Sequence, residues 1–197
     1  TNIVVAEPMP GDAELVDEFA ASLKPAVLGD LFKKMVEEMK LAGELGSLLK
    51  IEESIAKAVK EASEANQQGN LFAGKVESQD FWDTADEKII AALGSFAESA
   101  AGAGGVRRQL FAGDAAQGVA FIELMRKRFD AVLANPPFGA PSILARKYLE
   151  DRVAGRIDLY VCFVERGRQL GHSIGVISPR TGFFIQSFSK WRQNLSS

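Results

Sequence analysis

Residues 129–138 limit what this chain can fold into more than any other stretch. Phe129, Ala131, Val132, Leu133 and Ala134 form an apolar run in which Asp130 is the one polar residue, and Asn135, Pro136 and Pro137 follow directly. A short apolar run bounded by turn residues reads as a buried strand. Proline fixes φ and removes a backbone donor, so two in succession end the strand in a rigid loop with free carbonyls. The spacing therefore predicts a strand over Phe129–Ala134 that opens into a stiff loop at Asn135.

The surroundings of that strand alternate between strand and helix. Gln109 to Ala112 reads as a short strand with Asp114 at its end, and a helix is expected from about Gln117 to Lys127. Helices are expected over 142–151 and 158–170, a strand over Ile174–Ser178, and a last helix from Phe188 to Leu195. Alternation of this kind implies a parallel sheet covered on both faces. Ligands of such sheets sit at the carboxyl ends of the strands, where Asp114, Asn135 and Ser178 are expected.

The first half has a different texture. Asn2 to Ala6 reads as a strand, Glu7 to Asp12 as a turn-rich exit, and Asp12 as the cap of a helix running through Phe19. From Leu31 to about Ala65 the apolar residues fall at helical spacing, with Gly43 and Gly46 expected to bend or break the helix. Residues 66–80 are polar and turn-like, Ile89–Phe96 is helical, and Ala100 to Gly105 reads as a flexible glycine-rich connection. That cluster lacks the preceding strand and the spacing of a phosphate cradle.

Charge divides along the chain. Residues 1–100 hold nineteen acids and nine bases, whereas residues 101–197 hold seven acids and fourteen bases, eleven of them arginine. An arginine-rich half suits a polyanion as well as it suits a solvated surface with internal ion pairs. With one cysteine, Cys162, and one histidine, His172, the chain has no disulfide framework and no thiolate or imidazole zinc site of its own. No apolar run spans a membrane, and a cytoplasmic location is the default. A start at Thr1, directly into a strand-like segment, reads as a fragment of a longer protein.

The chemistry sits in Asn135-Pro136-Pro137-Phe138. The Asn135 side-chain oxygen and the Pro136 carbonyl form a pair of acceptors, which is what a planar exocyclic NH2 group requires. With both N–H groups held, the nitrogen lone pair is drawn out of conjugation towards an electrophile. Phe138 offers a flat face for an extruded base. With proline at ~5% of residues, such a tetrapeptide arises by chance in roughly a few of a thousand chains of this length.

The stretch from Phe129 to Gly139 resembles the catalytic motif of the amino-group DNA methyltransferases, Asp/Asn/Ser-Pro-Pro-Tyr/Phe. Asp158-Leu159-Tyr160 through Gly167 resembles the helix after their catalytic loop, and Ile174 through Phe184 the next strand and its exit. With Phe188, Trp191 and Arg192, the chain is similar to large adenine-specific methylases of restriction-modification and phage-exclusion (PglX-like) systems, and the opening Asn2–Gly11 is similar to a segment of the same enzymes.

The resemblance implies an α/β fold: a partial Rossmann-like sheet dependent on S-adenosylmethionine, with a mainly helical insertion. Residues 1–11 would supply a strand of the sheet, 12–105 the insertion, and 106–197 the C-terminal part of the catalytic domain. It implies methyl transfer from S-adenosylmethionine to adenine N6 in DNA, with other subunits of a restriction or phage-exclusion system as partners. Asn135, Pro136, Pro137 and Phe138 would be catalytic. Asp114, with Glu7 as competitor, would contact the cofactor's adenine, and Asp158 the cofactor's methionine end unless it caps a helix. Arg146, Lys147 and Arg180 would bind DNA, with Arg152 and Arg156 as further phosphate contacts or solvated helix residues. The family's Gly-x-Gly cofactor loop and ribose-binding acid are missing, so weak cofactor binding and no methylation are expected of the fragment alone.

Two other readings compete. Protein-glutamine and guanine-N2 RNA methyltransferases hold a planar NH2 in the same way, against which stand Phe138 in place of tyrosine, the helical insertion and the Ser178–Phe184 exit. A degenerate methylase acting as an interaction module is the other. His172 reads as an exposed turn residue, Cys162 as core, and Phe183 and Phe184 as a core pair first.

Overall fold

The structure is a computed structural model describing residues 3–58, 78–98, 103–150, 158–180, 184 and 186–195. Its residues form two compact units, Thr1–Lys127 and Arg128–Ser197. Of the polar stretch expected to be turn-like over 66–80, residues 66–77 lie outside the described residues, as do Ala100 to Gly102, Arg152, Arg156 and Phe183, whereas 78–80 are helical.

The first unit is helical. Helix α1 spans Ala13–Ser22 and starts where Asp12 accepts a hydrogen bond from the Leu15 N–H at 3.3 Å. This is the cap expected from the sequence. Helix α2 spans Ala26–Glu38 and approaches α1 closely, because a Cβ on Gly29 would collide with the Ala20 carbonyl. After a 3-10 turn at Met39–Leu41, α3 covers Ala42–Leu45 and ends at Gly46, whose φ of 47° lies in the left-handed region open to glycine. The helix expected from Leu31 is thus broken at Gly46, and α4 resumes over residues 51–58.

Helices α5, Ser78–Glu98, and α6, Ala103–Arg126, complete this unit. Phe19, Phe32, Phe96 and Phe111 meet in its core, with ring centroids 4.7 Å apart for Phe19 and Phe32 and 5.3 Å for Phe19 and Phe96. Each such pair contributes ~0.5–1.5 kcal/mol beyond its burial.

Three expectations are corrected here. Gln109–Ala112 is helical, within α6, and not a strand. Phe111, Ala115, Val119 and Ile122 are buried at intervals of four, four and three, so helical periodicity over the longer window prevails over a four-residue apolar match. Gly104 and Gly105 belong to the first turn of α6 and not to a flexible connection. Residues 3–12 form no strand. Ile3 and Val5 are exposed, and Met9 is buried against α6, where a Cβ on Gly118 would collide with its side chain.

The second unit holds the sheet. Strand β1, Phe129–Ala134, pairs in parallel with β2, Gly171–Val176, in the register Phe129 to Gly171 through Ala134 to Val176. Parallel strands require a crossover, and it contains α7, Ile143–Glu150, and α8, Leu159–Leu170. Helix α8 packs on both strands. Gly167 permits the approach, since a Cβ there would collide with Ile174 and lie 3.7 Å from Val132. A 3-10 turn at Gln186–Phe188 and helix α9, Ser189–Leu195, follow. Phe188 and Trp191 pack on Tyr160 of α8, and the Trp191 indole donates to Glu165 at 2.9 Å.

Strand β2 begins three residues earlier than expected, because the backbone ladder with β1 already engages Gly171. His172 accordingly lies in the strand, exposed, and not in a turn. Among the described residues the sheet has two strands, and most of these residues are helical. Neither strand holds a buried residue, and Leu133 is 86% exposed, so the expected buried strand in a sheet covered on both faces is corrected. No helix is long and apolar enough to cross a membrane among the described residues.

Candidate active site

Register places the carboxyl ends of β1 and β2 side by side. Ala134 pairs with Val176, and the ladder continues one step further as the Ile177 N–H donates to the Ala134 carbonyl at 3.0 Å. Asn135 and Ser178 therefore leave the sheet at the same end.

The loop after β1 alternates anchored and presented residues. Pro136 and Pro141 are buried, whereas Asn135, Pro137 and Phe138 are exposed, Phe138 at 56%. Gly139 turns the chain with φ of 123°, a conformation closed to most side chains. Beyond it, Ser142 starts α7, accepting from the Ala145 N–H through Oγ at 3.2 Å and from the Arg146 N–H through its carbonyl at 2.8 Å. Asn135 to Phe138 thus presents an amide and an aromatic face from an inward-anchored backbone.

Asp158 immediately precedes α8 and does not cap it through its side chain. Its Oδ1 is buried without a hydrogen-bond partner among the described residues. A buried acceptor in that state fits a ligand that brings N–H donors, such as an α-ammonium group. Cys162 one turn later is buried, and that burial, with Asp158 next in effect, pushes its thiol up to about 11. It is a packing residue, not a nucleophile.

Other candidates are placed differently. Asp114 is exposed in the middle of α6, and Glu7 is exposed in the irregular opening segment. Both belong to the first unit, and neither follows a strand, which was the reason for choosing them. Arg146 and Lys147 are exposed on α7 and make no ion pair among the described residues. Arg180 is exposed two residues beyond Ser178, its guanidinium 5.8 Å from the centroid of the exposed Phe184 ring. Phe184 at 75% exposure is therefore no core residue. Among the described residues no three of His, Cys, Asp and Glu cluster as a metal ion would require.

Sequence reading missed the orphaned Asp158 oxygen and the turn at Gly139. The first depends on tertiary burial and has no sequence signal; the second is signalled by a glycine directly after the loop. It also left Arg107 and Arg108 without a role beyond the basic bias of the second half. Arg107 is paired with Asp12 at 2.6 Å and Glu14 at 3.2 Å, and Arg108 with Glu18, tying α6 to α1.

The class to which the chain belongs is the restriction-modification methylases. Within it, the chain belongs to the Eco57I restriction-modification methylase family, whose sequence profile matches residues 43–197. No curated protein and no solved structure matches it.

Proposed function

We propose that the chain carries the amino-acceptor half of a site that methylates adenine N6 in DNA, with S-adenosylmethionine as donor. The observation that carries this reading is the loop Asn135–Phe138, presented beyond β1 with its amide and ring exposed and Pro136 anchored inward. The Asn135 Oδ1 accepts one N–H of the adenine amino group and the Pro136 carbonyl accepts the other. Holding both draws the nitrogen lone pair out of the ring, while Pro137 keeps the loop stiff. Phe138 stacks on the extruded base.

S-adenosylmethionine, when bound, supplies the methyl group. Asp158 is the carboxylate we assign to its α-ammonium, on the strength of its orphaned buried oxygen. Asp114 and Glu7 are secondary candidates without a strand end to support them. Arg146, Lys147 and Arg180 contact phosphates, consistent with ten Lys and Arg against five Asp and Glu in the unit Arg128–Ser197. The setting is restriction-modification or PglX-like phage exclusion with further subunits, and residues 12–105 are an insertion in the catalytic domain. Lacking a Gly-x-Gly cofactor loop, these 197 residues alone bind the cofactor weakly and do not methylate DNA.

The test offers the full-length parent protein methyl-labelled S-adenosylmethionine with duplex DNA, RNA or a glutamine-bearing release factor. Label is expected in DNA. Label in RNA or in the protein substrate instead would move the acceptor to one of the other planar amino groups.

A further inference from the structure

We infer that Ile143 and Leu144, at the start of α7, form an apolar wedge that enters the DNA base stack beside the nucleotide held by the Asn135–Phe138 loop. This rests on the reading of DNA adenine as acceptor. Ala145 and Leu149 are buried, at 0% and 2% exposure, and so fix the inner face of α7. At 100° per residue, Ile143 and Lys147 then stand opposite that face, with Leu144 and Arg146 on its two flanks. Ile143 is 88% exposed and Leu144 67%. The Ser142 cap locks both into the first turn, five and six residues after Phe138.

Two adjacent large aliphatic side chains this exposed offer an apolar contact at the tip of the helix. Charge indicates the partner it fits. Arg146 and Lys147 share the outer surface with the aliphatic pair, and Glu150 is the only acid of the helix. The unit as a whole carries a net charge of +5. An apolar tip flanked by exposed cations matches a polyanion whose interior is apolar, which is duplex DNA opened at a base step. A base held out of the helix leaves a gap, and an aliphatic side chain that fills it lowers the cost of keeping the base out.

Binding of the protein to intact duplexes and to duplexes with one abasic site, followed by fluorescence anisotropy over a range of salt, tests this. The wild type is expected to bind the abasic duplex about tenfold more tightly. The double variant Ile143→Ser/Leu144→Ser should lose that preference, Leu144→Ser alone should lose part of it, and Ile143→Val/Leu144→Ile should keep it. Arg146→Gln/Lys147→Gln should weaken binding to both duplexes equally and reduce the salt slope by roughly two. Melting temperatures should match the wild type, since both aliphatic side chains face solvent.

A preference that survives in the serine variant, or is absent from the wild type, overturns the wedge. So does a serine variant that changes only the association state, which would assign the face to a protein contact. Methyl transfer measured in parallel separates the two readings. No transfer to DNA by the full-length wild type defeats the proposed function, whereas normal transfer by the full-length serine variant defeats the wedge alone.

Discussion

At Asn135 the side chain is exposed one residue beyond β1, so Asn135→Ala removes an acceptor without opening a cavity in the core. Methyl transfer by the full-length protein should fall by roughly 10²–10³-fold in kcat with an unchanged melting temperature, the loss typical of a preorganised hydrogen-bonding group. Phe138→Ala removes the stacking face, worth ~1–3 kcal/mol, and should reduce kcat/KM by roughly 5–150-fold, while Phe138→Trp keeps most of the rate. Cys162 makes an opposite prediction. With its thiol pushed up to about 11, roughly a thousandth of it is thiolate at pH 8, so alkylation of the folded protein should be slow and should speed up on denaturation. At this scale the loop was legible because its chemistry is local in sequence. Asp158 was legible only as a name, since what distinguishes its oxygen is burial by other elements.

Elements were legible where one period ran long enough to exclude the other. Strand β1 and helices α7 and α8 fall where the sequence places them, to within a residue or so. Gln109–Ala112 did not, because four residues satisfy either period and only the burial of Ala115, Val119 and Ile122 decides for helix. The opening segment failed for another reason: Ile3 and Val5 alternate like a strand, but no described strand lies beside them. The close packing of α8 on the sheet yields a sharper test. Gly167→Ala places a methyl group where Ile174 stands and should destabilise the unit by about 1–3 kcal/mol, read as a lower denaturation midpoint with an unchanged m-value.

Over the whole molecule, charge follows the two units. The acidic bias lies in Thr1–Lys127 and the basic bias in Arg128–Ser197, which also carries the acceptor loop. Composition disclosed that bias but not its use, because pairing across ninety residues of sequence leaves no local mark: Arg107 and Arg108 pair with Asp12 and Glu18 at α1. Arg107 holds the Asp12 carboxyl below its ordinary 3.8. The stabilisation is therefore present above that value and lost as pH falls through the lower folded one. Asp12→Asn keeps the helix cap but not the charge, and should flatten the fall of melting temperature below about pH 4.

The central claim is that Asn135 and its loop hold the amino group of adenine in DNA. Its most direct test is mass spectrometry of nucleosides from unmethylated DNA incubated with the full-length parent protein and S-adenosylmethionine carrying a deuterated methyl group. Labelled N6-methyldeoxyadenosine is expected from the wild type and should be nearly absent with Asn135→Ala. Label in a different nucleoside, or N6-methyldeoxyadenosine formed equally well by the Asn135→Ala protein, would contradict the account.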